Sequence, residues 1–456
     1  MPSSAKGMFS KFEPYRIKTV EPIPLTTREN RQKYLEEVAF NPNCLKANQV
    51  TIDFITDSGA NALSCKQWSA MMQADESYAG ADSFYTFETT VKKITGFPFI
   101  VPVHQGRAAE KILFKVLWSE AEVAYSNGFF DTTRDHILQN KVKAINIDTE
   151  AESRDFKGNI DCRKLKEMLS KNEQKVGVVV MTITNGEKGG WPVSIANIKE
   201  AAAICRKYNV LFYADACRFA ENTWFIKTRE NGFEDKTPSQ IALEMFNEFD
   251  GCIISTKKDG LCNIGGVFAT RQREVFEKFS EECILTEGHI TYGGLAGRDL
   301  EAIAVGLTEA LDEHYLQHRI EMVQEFGRLL EFNGATIIEP GGHAIFVDAD
   351  KALPHLSRNQ HPAWALTCAL YVEGGIRAYE YGNIKFGYKD ENGKDVYRHR
   401  ELVRLAIPRR VYTMSHLKYV AEVFAKIIQN ASKVRGLTIV RSPPFLGLFA
   451  IEMKEV

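Results

Sequence analysis

The chain has 456 residues, with 57 Lys and Arg against 59 Asp and Glu, a net charge of −2 and 44% hydrophobic content. That balance offers no basic excess for nucleic acid or for an anionic membrane surface, and the length calls for a large domain of roughly 250 residues with a smaller one attached. No stretch stays apolar for the ~20 residues of a membrane span, and the N-terminus lacks the apolar core of a secretory signal. The nine cysteines form no C-x-x-C pair, and several sit inside apolar runs, which predicts reduced thiols in a cytoplasmic protein.

From about Phe99 to Arg271, short apolar or β-branched runs alternate with charged stretches of helical period. "FIVPV" runs into "HQGR", His104 to Arg107. "KVGVVVMTI", Lys175 to Ile183, predicts a buried strand, and Ser194 to Asn209 a helix with Ser194 as its N-cap. "VLFYADA", Val210 to Ala216, and "GCIIST", Gly251 to Thr256, predict two more strands. Strands joined by helical crossovers imply a parallel sheet covered on both faces, with ligands bound beyond the carboxyl ends of its strands. From about Ile303 to Gly334 the pattern turns helical and closes on a glycine suited to a C-cap. Short strands follow around "HAIFVDA" and "LVRLAIPRR", separated by an exposed loop containing "DENGKD", so the C-terminal third predicts an α+β domain.

Three features fall at strand ends: Asp215, with Arg218 three residues on; Lys258, beside Lys257; and "HQGR". A pyridine-ring cofactor requires a carboxylate facing its ring nitrogen, an amine to hold its aldehyde, and backbone amides with a cation at a helix start for its phosphate. Asp215, Lys258 and the Gly106–Arg107 turn supply these in order. "NGFFDTT" offers Phe129 and Phe130 to cover the ring.

"FEPYRIKTVEPI", "DFITDSGANALS", "DESYAG", "VHQGRAAE", "FFDTT", "DFKGNID", "DACRFAENTWFIK", "STKKDGLCNIGG", "TYGGLAGRDLEA", "GGHAIFVDA" and "VRLAIPRRVYT" recur in one order over nearly the whole chain. The sequence resembles the β-eliminating lyases, the pyridoxal-phosphate enzymes that include tryptophanase and tyrosine phenol-lyase. The resemblance implies an α/β, aminotransferase-like (fold type I) large domain over residues 56–310. It also implies a smaller α+β domain over 311–456, an N-terminal segment 1–55 that contributes to that domain and to subunit contacts, and a homotetramer. Carried over by position, Lys258 holds the cofactor, Asp215 faces its ring nitrogen and Arg218 lies near its phenolic oxygen. Gln105, Gly106, Arg107 and Ser255 cradle the phosphate, and Phe130 stacks on the ring. Arg404 grips the substrate carboxylate, with Thr56 and Ser58 also at the substrate. Tyr78 protonates the departing ring, Lys257 tunes the site, and Tyr292 reaches in from a neighbouring subunit. Gly59, Glu76 and Asn263 match a potassium site. The implied reaction is α,β-elimination of an aromatic amino acid to pyruvate and ammonia.

Departures from the family pattern concern specificity. Tyr381 stands where tyrosine phenol-lyases have arginine, and Leu448 where tryptophanases have histidine. Asp131 is tryptophanase-like, which favours indole release over cleavage of a phenolic amino acid; elimination or replacement on another amino acid is a third reading. In "TNGEKGGWPVS", Gly186 stands at the position of an asparagine, with Asn185 one residue earlier and Trp191 in place of glutamine; Lys188 is an added cation. Tyr379, Tyr381 and Leu448 suggest a pocket for an aromatic side chain. An inactive cofactor-binding paralogue would lack Lys258, Asp215 or Tyr78, whereas all three are present. A metal hydrolase would show H-E-x-x-H or H-x-x-E-H; the ten histidines show neither, and the one H-x-x-x-H spacing, His314 to His318 in "HYLQH", lacks the glutamate. His343 is expected to order the smaller domain.

Overall fold

The computed structural model describes residues 13–118, 121–147, 155–171, 173–186, 189–389, 395–396, 400–442 and 447–456. Lys188 and residues 390–394 of the "DENGKD" loop lie outside them. The chain forms two compact units, Ser58–Ile320 and, separately, the segment up to Asp57 together with Glu321–Val456. No helix among the described residues is long and apolar enough to cross a membrane.

The larger unit is built on a seven-stranded sheet: β1 (Phe99–Val103), β2 (Val123–Ser126), β3 (Lys143–Asn146), β4 (Val176–Thr182), β5 (Leu211–Asp215), β6 (Gly251–Ser255) and β7 (Gly266–Thr270), in the order β1-β7-β6-β5-β4-β2-β3. β4 shows why the strands read as continuous apolar runs. Val178 and Val180 enter the core layer on one face, Val179 and Met181 the layer on the other. Ile112 and Leu113 of helix α1 (Gly106–Leu117) cover the first face; Ile198 and Ala201 of α2 (Ile195–Lys207) and Phe225 of α3 (Phe219–Arg229) cover the second. Ser194 caps α2 by accepting from Asn197 N at 3.1 Å.

The sheet is mixed where an all-parallel one was expected. β7 runs antiparallel to both β1 and β6. Its connection to β6 holds the lysine loop and no crossover helix, so the chain can only return in the opposite sense.

The smaller unit carries a four-stranded sheet, in the order Tyr379–Glu380, Leu402–Ala406, Ala344–Asp348, Ile337–Ile338, with antiparallel pairing. Alternation divides its faces. Ile345, Val347, Val403 and Leu405 join the core with the helices Pro362–Gly374 and Met414–Gln429. Phe346, Arg404 and Tyr379 stand in one row on the opposite face. Ile52–Asp53 pairs in parallel with Ile376–Arg377, tying the N-terminal segment to this unit. The fully buried Arg409 meets Asp57 Oδ2 at 3.0 Å. His343 is buried, and its carbonyl accepts from Ile407 N at 2.9 Å. All nine cysteines are free.

Candidate active site

β5 and β6 end side by side and deliver the charged groups. Asp215, the last residue of β5, is 6% exposed. Two residues on, the Cys217 thiol donates to Asp215 Oδ1 at 2.9 Å, and Ser255 N, at the end of β6, donates to the same sulfur at 3.3 Å. Arg218 then starts α3. Next to Lys258, Asp259 turns back to that helix, its Oδ2 accepting from Ala220 N at 2.7 Å and Glu221 N at 3.1 Å. These are first-turn donors that would otherwise lack a partner, so Asp259 pins the lysine loop to α3. Gly260 closes the turn: a Cβ there would lie 2.5 Å from Thr256 Cβ.

The end of β1 completes one side. Gln105 pairs with Gly265, whose N–H donates to His104 O at 2.8 Å. A Cβ on Gly106 would lie 2.8 Å from Ser255 Cβ, so this glycine lets the start of α1 close onto the end of β6. The start of α1 and Ser255 thus lie against each other, and a helix start offers N–H groups of the kind that suit a phosphate. Arg107 is exposed. Burial, then Lys258 and Arg107, hold the Lys257 ammonium below its ordinary pKa.

The Lys258 ammonium lies 5.9 Å from the centroid of Phe130. Phe129, its neighbour, belongs to the core instead. Phe130 precedes the helix Asp131–Gln139, and Thr132 Oγ1 of that helix donates to Glu110 Oε2 at 2.6 Å. Glu110 comes one turn after Gly106 on α1 and is 4% exposed. Burial, and then the charge of Asp215, push its carboxyl up to about 7. Gly186 leaves room beside Arg218, whose Nη1 would lie 3.6 Å from a Cβ there. Asn185 turns away from that space, donating to Asn127 O at 2.8 Å and pairing with Trp191 through the backbone. A planar ring with a phosphate at one end and an aldehyde near Lys258 fits this set of groups.

Gly59 and Asn263 come together: Asn263 Nδ2 donates to Gly59 O at 3.1 Å, and a Cβ on Gly59 would lie 2.7 Å from Lys257 Cε. Glu76 is elsewhere, accepting from Gly297 N at 3.0 Å and facing Arg298 at 3.6 Å. Tyr78 is 72% exposed and packs on Tyr292, with ring centroids 5.5 Å apart. Thr56 and Ser58 are half-buried, on either side of Asp57. Among the described residues no group of three His, Cys, Asp or Glu side chains could hold a metal ion.

On the smaller unit, Arg404 Nη2 donates to Ile55 O at 3.0 Å, while its buried Nε has no hydrogen-bond partner among the described residues. Its Cζ lies 4.6 Å from the Tyr379 ring centroid and 5.8 Å from that of Tyr381. Leu448 is buried in the core of this unit, its carbonyl accepting from Asn43 Nδ2 at 3.1 Å.

Glu110, Cys217 and Asp259 escaped the sequence reading. Glu110 left a signal, an acid set among the buried positions of an otherwise apolar helix stripe. The others left none that local pattern could supply.

The family model described as "Beta-eliminating lyase" matches residues 53–423. A tryptophanase from Hyphomonas neptunium is 46% identical over 97% of this chain and 99% of its own length. A tyrosine phenol-lyase from Symbiobacterium thermophilum is 43% identical over 97% and 98%. Among solved structures, a serine palmitoyltransferase from S. paucimobilis, with a bound PLP–myriocin aldimine, aligns over 89% of this chain and 97% of its own at TM-score 0.60 and 13% identity. That likeness is one of fold, the aminotransferase-like fold of type I.

Proposed function

Since this chain belongs to the β-eliminating lyase family, we propose that it removes the ring of an aromatic L-amino acid, consuming water and yielding the free arene, pyruvate and ammonia. Pyridoxal phosphate is the cofactor that the fold and the family call for. The observation that carries the reading is the meeting of Lys258, Phe130, Asp215 and the Gly106–Ser255 contact beyond the ends of four strands.

When bound, the cofactor acts as a sink for the electron pair left at the substrate's α-carbon. Asp215 holds a proton on its ring nitrogen, and the Cys217 donor keeps that carboxylate oriented. Lys258 anchors the aldehyde and carries the α-proton at Nζ; Lys257, beside it and depressed in pKa, keeps the local field positive. Gln105, Gly106, Arg107 and Ser255 hold the phosphate. Arg218 would donate to the cofactor's phenolic oxygen, and Gly186 supplies no side-chain donor where the family pattern has one. Arg404, whose Nε has no hydrogen-bond partner among the described residues, takes the substrate carboxylate in a bidentate grip. Tyr78 protonates the ring carbon that leaves. Tyr78 packs on Tyr292, and in a homotetramer Tyr292 would reach the site of a neighbouring subunit. Gly59 and Asn263 suit part of a potassium site, and Glu76, which lies elsewhere in this chain, would complete it across a subunit contact. The cytoplasm, with its reduced thiols, is the compartment that suits nine free cysteines.

Indole release from tryptophan is the first reading, supported by Asp131 and by relatives named tryptophanase. Phenol release is the second, favoured by the two tyrosines beside Arg404. Incubation with tryptophan, tyrosine and cysteine derivatives, followed by pyruvate assay, tests both. Pyruvate from an aromatic substrate, lost in Lys258→Ala along with the visible absorption band, is the expected result. Absence of pyruvate from the whole panel would overturn elimination, and an unchanged spectrum in the variant would overturn the role of Lys258.

A further inference from the structure

The helix Pro362–Gly374 presents Ala365 and Ala369, one turn apart, to a cavity of about 310 Å³ whose lining residues all belong to the smaller unit. Two successive alanines leave open the space that larger side chains would fill. The other walls are the helix Arg28–Glu37, the end of the helix Met414–Gln429, and the paired strands Leu437–Arg441 and Glu452–Glu455. Leu35, Ala365, Ile427 and Leu437 line the cavity and are buried, so its interior is apolar. A volume of this size falls at the lower end of the range of small-molecule sites.

Where the cavity meets solvent, its lining is charged. Arg28, Lys426, Lys433 and Arg435 stand there against Glu373 and Glu455, so positive charge is in excess. Glu373 is shared: Arg28 Nε donates to its Oε1 at 2.7 Å, and Lys426 Nζ meets its Oε2 at 2.7 Å. Arg28 thus spends one edge on Glu373, and its two Nη groups have no hydrogen-bond partner among the described residues. One wall is fixed by the backbone. Ala39 and Phe40 take positive φ, 49° and 56°, and Phe40, which lines the cavity, is held in place as its carbonyl accepts from Trp364 Nε1 at 2.6 Å.

We propose that this cavity is a binding site for an amphipathic monocarboxylate, a medium-chain or arylalkyl acid, with its apolar body on Ala365 and Ala369 and its carboxylate on the Nη edge of Arg28. The site is separate from the elimination chemistry and does not depend on it. Burial of the apolar body drives binding, and the guanidinium edge takes both carboxylate oxygens in parallel bonds. The excess of positive charge at the mouth selects an anion over an alcohol or an amine of the same length.

The test is equilibrium dialysis of radiolabelled octanoate against the full-length holoenzyme, with 3-phenylpropionate, octanol and octylamine as competitors. Octanoate is expected to occupy one such site per chain. 3-Phenylpropionate should displace it, and octanol and octylamine should compete about tenfold less well or worse. Ala369→Phe fills the cavity and should weaken octanoate by about tenfold or more, with helical content unchanged by circular dichroism. Arg28→Gln, which leaves Glu373 its bond to Lys426, should weaken it by about two- to fivefold. No octanoate binding, octanol competing as well as the acids, or an affinity unchanged in Ala369→Phe overturns the proposal. If Ala369→Phe does not fold, the double variant Arg28→Gln with Lys433→Glu decides: octanoate bound as tightly as by the wild type overturns it, and a loss of about tenfold supports it.

Discussion

The Cys217 thiol donates to Asp215 Oδ1 across 2.9 Å while its sulfur accepts the Ser255 N–H at 3.3 Å, so one side chain links the end of β5 to the end of β6. Burial and the Asp215 charge raise the thiol pKa, which keeps it a protonated donor. Cys217→Ala removes that donor and is expected to weaken both cofactor binding and kcat/KM by about three- to tenfold, with Cys217→Ser keeping most of each. Spectral titration with cofactor reads the first quantity and pyruvate assay the second.

Gly106→Ala tests the cradle. Its new Cβ would lie 2.8 Å from Ser255 Cβ, inside any normal contact, so α1 and the end of β6 must separate. We expect cofactor affinity to fall by about tenfold or more with helical content unchanged, as measured by dialysis against cofactor and by circular dichroism.

Glu110 gives stability a pH dependence. Its folded pKa of about 7 stands above the ordinary carboxyl value of 4.5, so between these the folded state binds more protons than the unfolded one. The stabilisation is fully present below pH 4.5 and is lost as pH rises through 7. Glu110→Gln cannot ionise and retains an acceptor for Thr132. Its thermal midpoint should gain on the wild type as pH climbs through this window; parallel curves would contradict the assignment.

Asp57 and Arg409 form a buried pair, 4% and 0% exposed. Arg409→Met removes the buried cation that faces the Asp57 carboxylate and is expected to cost about 3–5 kcal/mol in urea unfolding, more than the double variant Asp57→Asn with Arg409→Met.

Local pattern determined much of this protein. The apolar runs of β4, β5 and β6, the Ser194 cap, and the charged residues that follow the strands are all properties of neighbouring residues, and the family follows from their order along the chain. Pattern misjudged β7, because strand direction depends on whether a connection can hold a crossover. It also missed Glu110, which meets the charge of Asp215 from a distant point of the chain, and Cys217, which bonds that carboxylate. Asp259 reads as a turn residue beside a lysine pair; only the folded chain sets it at the start of α3 and makes it the anchor of that pair. Residue types and their order specify which chemistry is available, whereas burial and contacts between distant segments set which charges face one another. These contacts arise only when the core closes.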